Sequence, residues 1–433
     1  MSGVRVRNAA LLELGLTLPG FVERSRVIAS LPSLALLTLA GMTPRAFDVT
    51  YVEVPDLEAI QELPGDFDAV AISSFSAMIK DAYTLADRYR AAGAKVILGG
   101  LHVTAMPGEA RRHADAIVIG EAEPVWTKLL SDLLRGDLAP VYDARGVAFN
   151  LADAPMPRFD LLDVGRYNRL TVQTQRGCPF SCEFCAASIR LSPNFKVKPV
   201  EKVVSEVRRI KEIWRRPFIE LADDNTFANR AHGRRLARAL AAENIRWFTE
   251  TDISIADDPE LLAILRDSGC AQVLIGLEYP NRAGVEGIEQ KANWKARRAD
   301  RYLEAIERIQ SHGISVNGCF ILGLDGTDER SFGEVLDFVE RSGLYEVQVT
   351  VQTPFPGTPL YERLLRTGRL LEPEAWERCT LFDVNFRPDT MSVALLEQGF
   401  HQLIAEVYRE DRVRARRAAF KRRLRTVSGR PGG

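Results

Sequence analysis

Cysteine and histidine are scarce in this chain of 433 residues, which holds six of the first and five of the second. So small a cysteine set, with three of its members in one short run, excludes a disulfide framework and fits a reducing compartment, the cytoplasm. No stretch approaches the roughly 18 uninterrupted apolar residues of a membrane-spanning helix, so no transmembrane segment is expected. No signal peptide is expected either: Arg5 and Arg7 precede only a short apolar stretch, Ala9 to Leu14, which Gly15 ends. Excess charge is also absent. A formal net charge of -1 gives no global pull toward nucleic acid, and none is expected as a partner. What is present, 46% hydrophobic and 27% charged residues over a length that exceeds one ordinary core, describes a large soluble protein of two or three domains.

The most informative run is Arg176-Gly177-Cys178-Pro179-Phe180-Ser181-Cys182-Glu183-Phe184-Cys185. Three thiols spaced C-x3-C-x2-C can hold three irons of a [4Fe–4S] cluster and leave the fourth iron open to an exogenous ligand. A helical face of buried cysteines is the plain alternative, but Gly177 and Pro179 mark a loop there. Structural zinc needs four N or S ligands, and the next cysteine is Cys270. The run follows an alternating strand, Leu170 to Gln175.

With its aromatic Phe184 before the last cysteine, this motif resembles that of the radical SAM superfamily. The resemblance implies that Cys178, Cys182 and Cys185 ligate the cluster, whose open iron binds the methionine end of S-adenosylmethionine. Reductive cleavage then yields a 5′-deoxyadenosyl radical, with an external electron donor such as flavodoxin or ferredoxin. No side chain can do this, and none is assigned a catalytic role.

Strand and helix patterns before residue 150 form one α/β unit, a doubly wound parallel sheet. Asp68 to Ser73, Lys95 to Gly99 and Asp115 to Gly120 are short apolar runs separated by helical patterns at 77–92 and 123–134. Phe47 to Val52 adds a further strand. Ligands of such sheets bind outside the carboxyl ends of the strands, where Ser73-Ser74, Gly99-Gly100 and Gly120-Glu121 fall. This unit looks like the cobalamin-binding domain that precedes the barrel in one branch of the superfamily, and the likeness implies that Ser74, Gly99, Gly100 and Glu121 face cobalamin. The cobalt-ligating D-x-H-x-x-G motif is absent, because Gly100 stands two residues before His102. A plain scaffold whose glycines only terminate a strand is the alternative reading.

A linker, 151–169, carries Pro155 and Pro157. From 170 to 360 the alternation repeats six times, as a partial (β/α)6 barrel requires, with strands at 170–175, 218–222, 245–250, 272–277, 314–322 and 346–352. Asp223 and Asp224, after the second strand, match positions where the family meets the amino group of S-adenosylmethionine; capping of the following helix is the alternative. Glu250, ending the third strand, is another candidate for the methionine end. Glu278, after the fourth, corresponds to the family's acceptor of the ribose hydroxyls, and Gly323, ending the fifth, to its close approach to adenine. Cys319 reads as a packed strand residue, and Cys270 and Cys379 as non-ligands.

Residues 361–433 read as a helical segment. Its arginine-rich end, Arg409 to Arg425, is expected to be a solvated, partly frayed helix, while Trp376, Phe382 and Phe386 could wall a pocket or form core. Two enzymatic readings follow from the resemblance: methylation of an unactivated carbon of a small-molecule or lipid-like substrate by way of cobalamin, or a cobalamin-free oxidative cyclisation, rearrangement or dehydrogenation. A tRNA methylthio-transferase is disfavoured, because no cysteine precedes Cys178.

Overall fold

The computed structural model describes residues 4–5, 27–28, 31–186 and 195–427. Two parallel sheets organise it. The first joins β1 (Ala69–Ser73), β2 (Lys95–Gly99), β3 (Ala116–Ile119) and β4 (Val141–Asp143) in chain order. Helix Ile79–Ala91 connects β1 to β2, and helix Glu123–Arg135 follows β3. The near-continuous apolar composition of β2 and β3 is that of strands covered on both faces. Leu37 and Ile72 join the large core that runs through the whole molecule, and Ile97, Val118, Trp126 and Leu129 form a second, smaller one.

The second sheet also runs in chain order: β5 (Leu170–Val172), β6 (Phe218–Leu221), β7 (Arg246–Thr251), β8 (Cys270–Glu278), β9 (Ser315–Leu322) and β10 (Glu346–Val351), all parallel. It is a six-stranded partial barrel. Helices Val200–Ile213, Arg230–Ala241, Pro259–Asp267, Tyr302–Ser311 and Arg330–Ser342 return the chain between strands. Local chemistry sets several helix starts. Asn229 and Asp258 accept from the amides of His232 and Leu261, satisfying first-turn donors.

Three expectations need correction. Phe47 to Val52 is not a strand; its Tyr51 hydroxyl instead accepts from the Ser33 amide at 2.7 Å, and the sheet is edged by β4, three residues too short to show a period. The sequence over 295–311 has a helical pattern and predicts a helix from Lys295, but the helix begins at Tyr302, because the chain at Lys295 turns inward. Of the two readings open for Trp376, Phe382 and Phe386, the core one holds: all three are buried, and the Trp376 indole donates to Glu109 of the N-terminal half at 3.0 Å. Last, the arginine-rich end is a helix, Glu410–Val427, packed across the barrel's amino-terminal side. Arg417 pairs with Glu346, the first residue of β10, Arg416 is buried and donates to the Val407 carbonyl, and Phe420 packs on Tyr345. These partners come from remote segments, which is why its thin apolar stripe suggested a solvated helix.

Candidate active site

The cysteine run leaves β5 at the mouth of the barrel and is held on two sides. Glu183 N–H donates to the Ile288 carbonyl, Gln290 N–H to the Ser181 carbonyl and Ser181 N–H to the Glu289 carboxylate, at 3.0–3.2 Å. On the other side Arg363 grips the Glu183 carboxylate with two nitrogens, at 2.7 and 3.2 Å, and Leu360 N–H donates to the Glu183 carbonyl. Phe180 stacks on Trp294 with centroids 4.5 Å apart. A loop pinned at so many points presents its thiols in one arrangement.

Burial pushes the Cys178 thiol up to about 11 and the Cys182 thiol to about 12. Each feels Cys185 as a further unfavourable charge, and Cys178 also feels Asp224 and Asp252. Three thiols within electrostatic reach of one another are a site that gains from cations at their sulfurs. Among the described residues no three His, Cys, Asp or Glu side chains converge on one metal ion. Three thiols on one short loop suit thiolates that each take a separate iron of a cluster, so the donor set fits a [4Fe–4S] centre.

Around the mouth stand the acidic residues singled out by sequence. Asp224 is half-buried; burial first, then neighbouring Asp223, pushes its carboxyl up to about 6, and the Gly177 N–H donates to it. Glu250 remains open to solvent at the mouth although protein surrounds it. That enclosure, with Glu220, Asp224 and Asp223 nearby, pushes its carboxyl up to about 8. Glu278 is buried at the end of β8, with φ +63, where the β8–β9 register breaks. Its carboxylate accepts from Lys295 at 2.6 Å.

Asp223 has a different place. It is fully enclosed and accepts from Thr174 N–H (2.7 Å), Thr174 Oγ1 (2.5 Å), Gln175 N–H (3.0 Å) and Thr226 Oγ1 (2.8 Å). The carboxylate ties β6 to the strand leading into the cysteine run. It caps no helix, since Asn229 does that. Gly323 also departs from expectation. Its φ of +78 suits glycine, but the space its missing side chain leaves is filled by Phe386 and Leu396, each 2.8 Å from where a Cβ would stand.

A cavity of about 250 Å³ joins the two halves. Gly99, Gly100 and Glu121 line it from the N-terminal sheet, and Arg176, Gly177 and Asp224 from the barrel. Small residues open it: a Cβ on Gly100, whose φ is +108, would stand 3.0 Å from Ser73 Oγ. Ser73, not Ser74, lines this space; the Ser74 hydroxyl donates to the Phe75 carbonyl. Glu121 does more than line it, accepting from Arg176 at 3.0 Å and Lys196 at 2.6 Å, while Arg176 reaches Glu123 at 2.8 Å. A shallow cofactor with a broad apolar face fits a wall of Leu36, Ile72, Ile97 and glycines.

Residues missed by sequence reasoning include Lys295, Arg176 and Arg363. Arg176 and Glu183 flank the cysteines and could have been flagged by that adjacency. No local pattern distinguishes Lys295 from a surface lysine.

Comparison with known proteins agrees with this geometry. The Radical SAM superfamily model matches residues 172–339, the B12 binding domain model 26–130, and a domain of unknown function, DUF4070, residues 358–431. Bacteriochlorophyllide d C-12(1)-methyltransferase of Chlorobaculum tepidum is 27% identical over 383 residues, covering 87% of this chain and 82% of the relative. Hopanoid C-2 methylase of Rhodopseudomonas palustris is 27% identical over 365 residues, 80% of this chain and 67% of the relative. In fold, the chain is similar to the radical S-adenosylmethionine methyltransferase TsrM from Kitasatospora setae, with TM-score 0.66, 15% identity and coverage of 87% and 86% of the two chains. The chain carries a radical SAM domain and a B12 binding domain, and it is similar over most of its length to methyltransferases. It is an enzyme whose cofactors are a [4Fe–4S] cluster, S-adenosylmethionine and cobalamin.

Proposed function

We propose that this enzyme transfers a methyl group to an unactivated carbon of a small-molecule or lipid-like substrate, drawing electrons from a donor such as flavodoxin or ferredoxin in the cytoplasm. The observation that carries this reading is the cavity between the halves. One wall is the glycine-lined carboxyl edge of the B12-type sheet, and the other is Gly177 and Asp224, beside the first cysteine. The names of the relatives, one acting on bacteriochlorophyllide d and one on a hopanoid, support methylation of carbon-rich molecules.

Cys178, Cys182 and Cys185 would hold the cluster. Asp224 is suited to the ammonium of S-adenosylmethionine, as a carboxylate facing a cation at the mouth. Glu278 offers two acceptor oxygens to adjacent ribose hydroxyls, and Lys295 orients that carboxylate by donating to Oε1. Gly99 and Gly100 leave room for the corrin, while Glu121 fixes the cavity's rim through Arg176 and Lys196. Glu250 faces the methionine end, whereas Asp223 positions the strand before the cysteines and Gly323 admits the C-terminal segment. When bound, the cluster supplies reductive cleavage of S-adenosylmethionine and cobalamin supplies the methyl group.

Incubation of the reconstituted enzyme with methyl-labelled S-adenosylmethionine and candidate extracts tests the proposal. The expected product gains one labelled methyl. Turnover to a product without added mass, in enzyme that holds no cobalamin, would replace methylation by cyclisation, rearrangement or dehydrogenation.

A further inference from the structure

We propose that Lys295 is a positioning residue of the cluster: a fixed internal cation, tied to the cysteine run and oriented by Glu278, that raises the reduction potential of the [4Fe–4S] centre. The inference rests on the reading that Cys178, Cys182 and Cys185 hold that centre.

The geometry begins with burial. The Lys295 side chain is 8% exposed, and its ammonium donates to Glu278 Oε1 at 2.6 Å and to the Gly276 carbonyl at 2.8 Å. A buried ion pair costs desolvation on both sides and by itself is weak evidence of a stabilising role. Its placement points elsewhere. Lys295 lies 5.3 Å from the centroid of the adjacent Trp294 ring, and that ring stacks on Phe180 inside the cysteine run. Residues 288–290, just upstream, form the ladder with 181–183 that includes the Cys182–Glu289 bridge. The ammonium and Cys182 therefore belong to one rigid unit.

Glu278 is held just as firmly. Its φ of +63 is unusual for a residue with a side chain and is kept by the register break in β8. Its Oε1 lies 2.4 Å from where a Cβ on Gly276 would stand, so glycine there is required for the carboxylate to fold back onto Lys295. The pair is thus a fixed dipole. Of its two ends, the ammonium is the one tied through Trp294 to Phe180 of the cysteine run.

Reduction adds negative charge to a centre already surrounded by thiolates. Charges and hydrogen bonds around the sulfurs are among the protein's means of setting a cluster's potential. A buried cation fixed beside the run favours the reduced state, and its removal disfavours it.

The test is a potentiometric titration of the anaerobically reconstituted full-length enzyme, followed by electron paramagnetic resonance without S-adenosylmethionine. Lys295→Met should lower the midpoint until the reduced-to-oxidised ratio at the wild-type midpoint falls about tenfold, or 59 mV for a one-electron couple. Glu278→Gln, which leaves the ammonium unopposed, should raise it. The double variant Lys295→Met/Glu278→Gln leaves no buried charge unpaired and should lie above Lys295→Met and below Glu278→Gln, which keeps the test decisive if the single lysine variant does not fold. Unchanged midpoints at normal iron content, or shifts of the same sign in Lys295→Met and Glu278→Gln, would reduce Lys295 to packing. Wild-type enzyme that takes up no iron would overturn the cluster reading instead.

Discussion

The two halves of the molecule prepare for their cofactors in opposite ways. At the barrel mouth the chain supplies side chains: three thiols, the carboxylates of Asp224, Glu250 and Glu278, and the buried ammonium of Lys295. On the N-terminal side it removes them, so that glycines at 99 and 100 open the space and only the rim carries charge. The difference teaches where each half is vulnerable. A site made of donors fails when a donor is deleted; a site made of space fails when the space is filled.

The sharpest way to break this contrast is at the cysteines. Alanine at Cys178, Cys182 or Cys185 should deplete iron and abolish formation of 5′-deoxyadenosine, while alanine at Cys270, Cys319 or Cys379 should leave both intact. Iron analysis together with chromatographic assay of 5′-deoxyadenosine decides it; cleavage surviving in the triple variant with full iron content would falsify the assignment. Gly100→Phe acts on the other half. A side chain at φ +108, beginning 3.0 Å from Ser73 Oγ, intrudes on the cavity. Bound cobalamin, read from the visible spectrum, should be lost together with methyl transfer, whereas 5′-deoxyadenosine formation persists. Retention of cobalamin in that variant would remove the cavity from the site.

Smaller effects sharpen the donor side. Glu278→Gln keeps the volume but weakens charge-assisted hydrogen bonds by roughly 1 to 2 kcal/mol, about tenfold in S-adenosylmethionine affinity by calorimetry. Equal affinities would take Glu278 out of the ribose site. The least effect is expected from Glu250, whose carboxyl is raised to about 8 in the native enzyme against about 4.3 in an unfolded chain. Between those values the native state binds the extra proton, so Glu250 makes stability fall as pH rises through the window. Glu250→Gln should flatten that slope and gain most above pH 8, as read from urea midpoints at several pH values. A slope identical to wild type would show that Glu250 ionises normally.

Much of this is legible in the sequence. The strands of both sheets fall where apolar runs put them, because a parallel strand covered on both faces has to be apolar along its length; Lys95–Gly99 of the first sheet and Ser315–Leu322 of the barrel lie within a residue of those runs. The cysteine run needed only its spacing. Legibility ended where a residue's role depends on partners distant in sequence. Asp223 looks like a ligand until Thr174 and Gln175, nearly fifty positions earlier, take its oxygens. Gly323 does mark a close approach, but by Phe386 and Leu396 of the C-terminal segment. Phe47 to Val52 alternates like a strand yet makes no ladder, and alternation says nothing about whether an edge is offered to it.

The bond between Arg176 and the carboxylates of Glu121 and Glu123 has a consequence for inheritance. The residue leading into the first cysteine is steadied by the other domain. A barrel expressed alone would carry an unpaired arginine beside its cysteines, and a change at Glu121 in a descendant of this gene would have to be answered at Arg176 or Lys196. The two domains, separable on paper as scaffold and reactor, are bound to drift together.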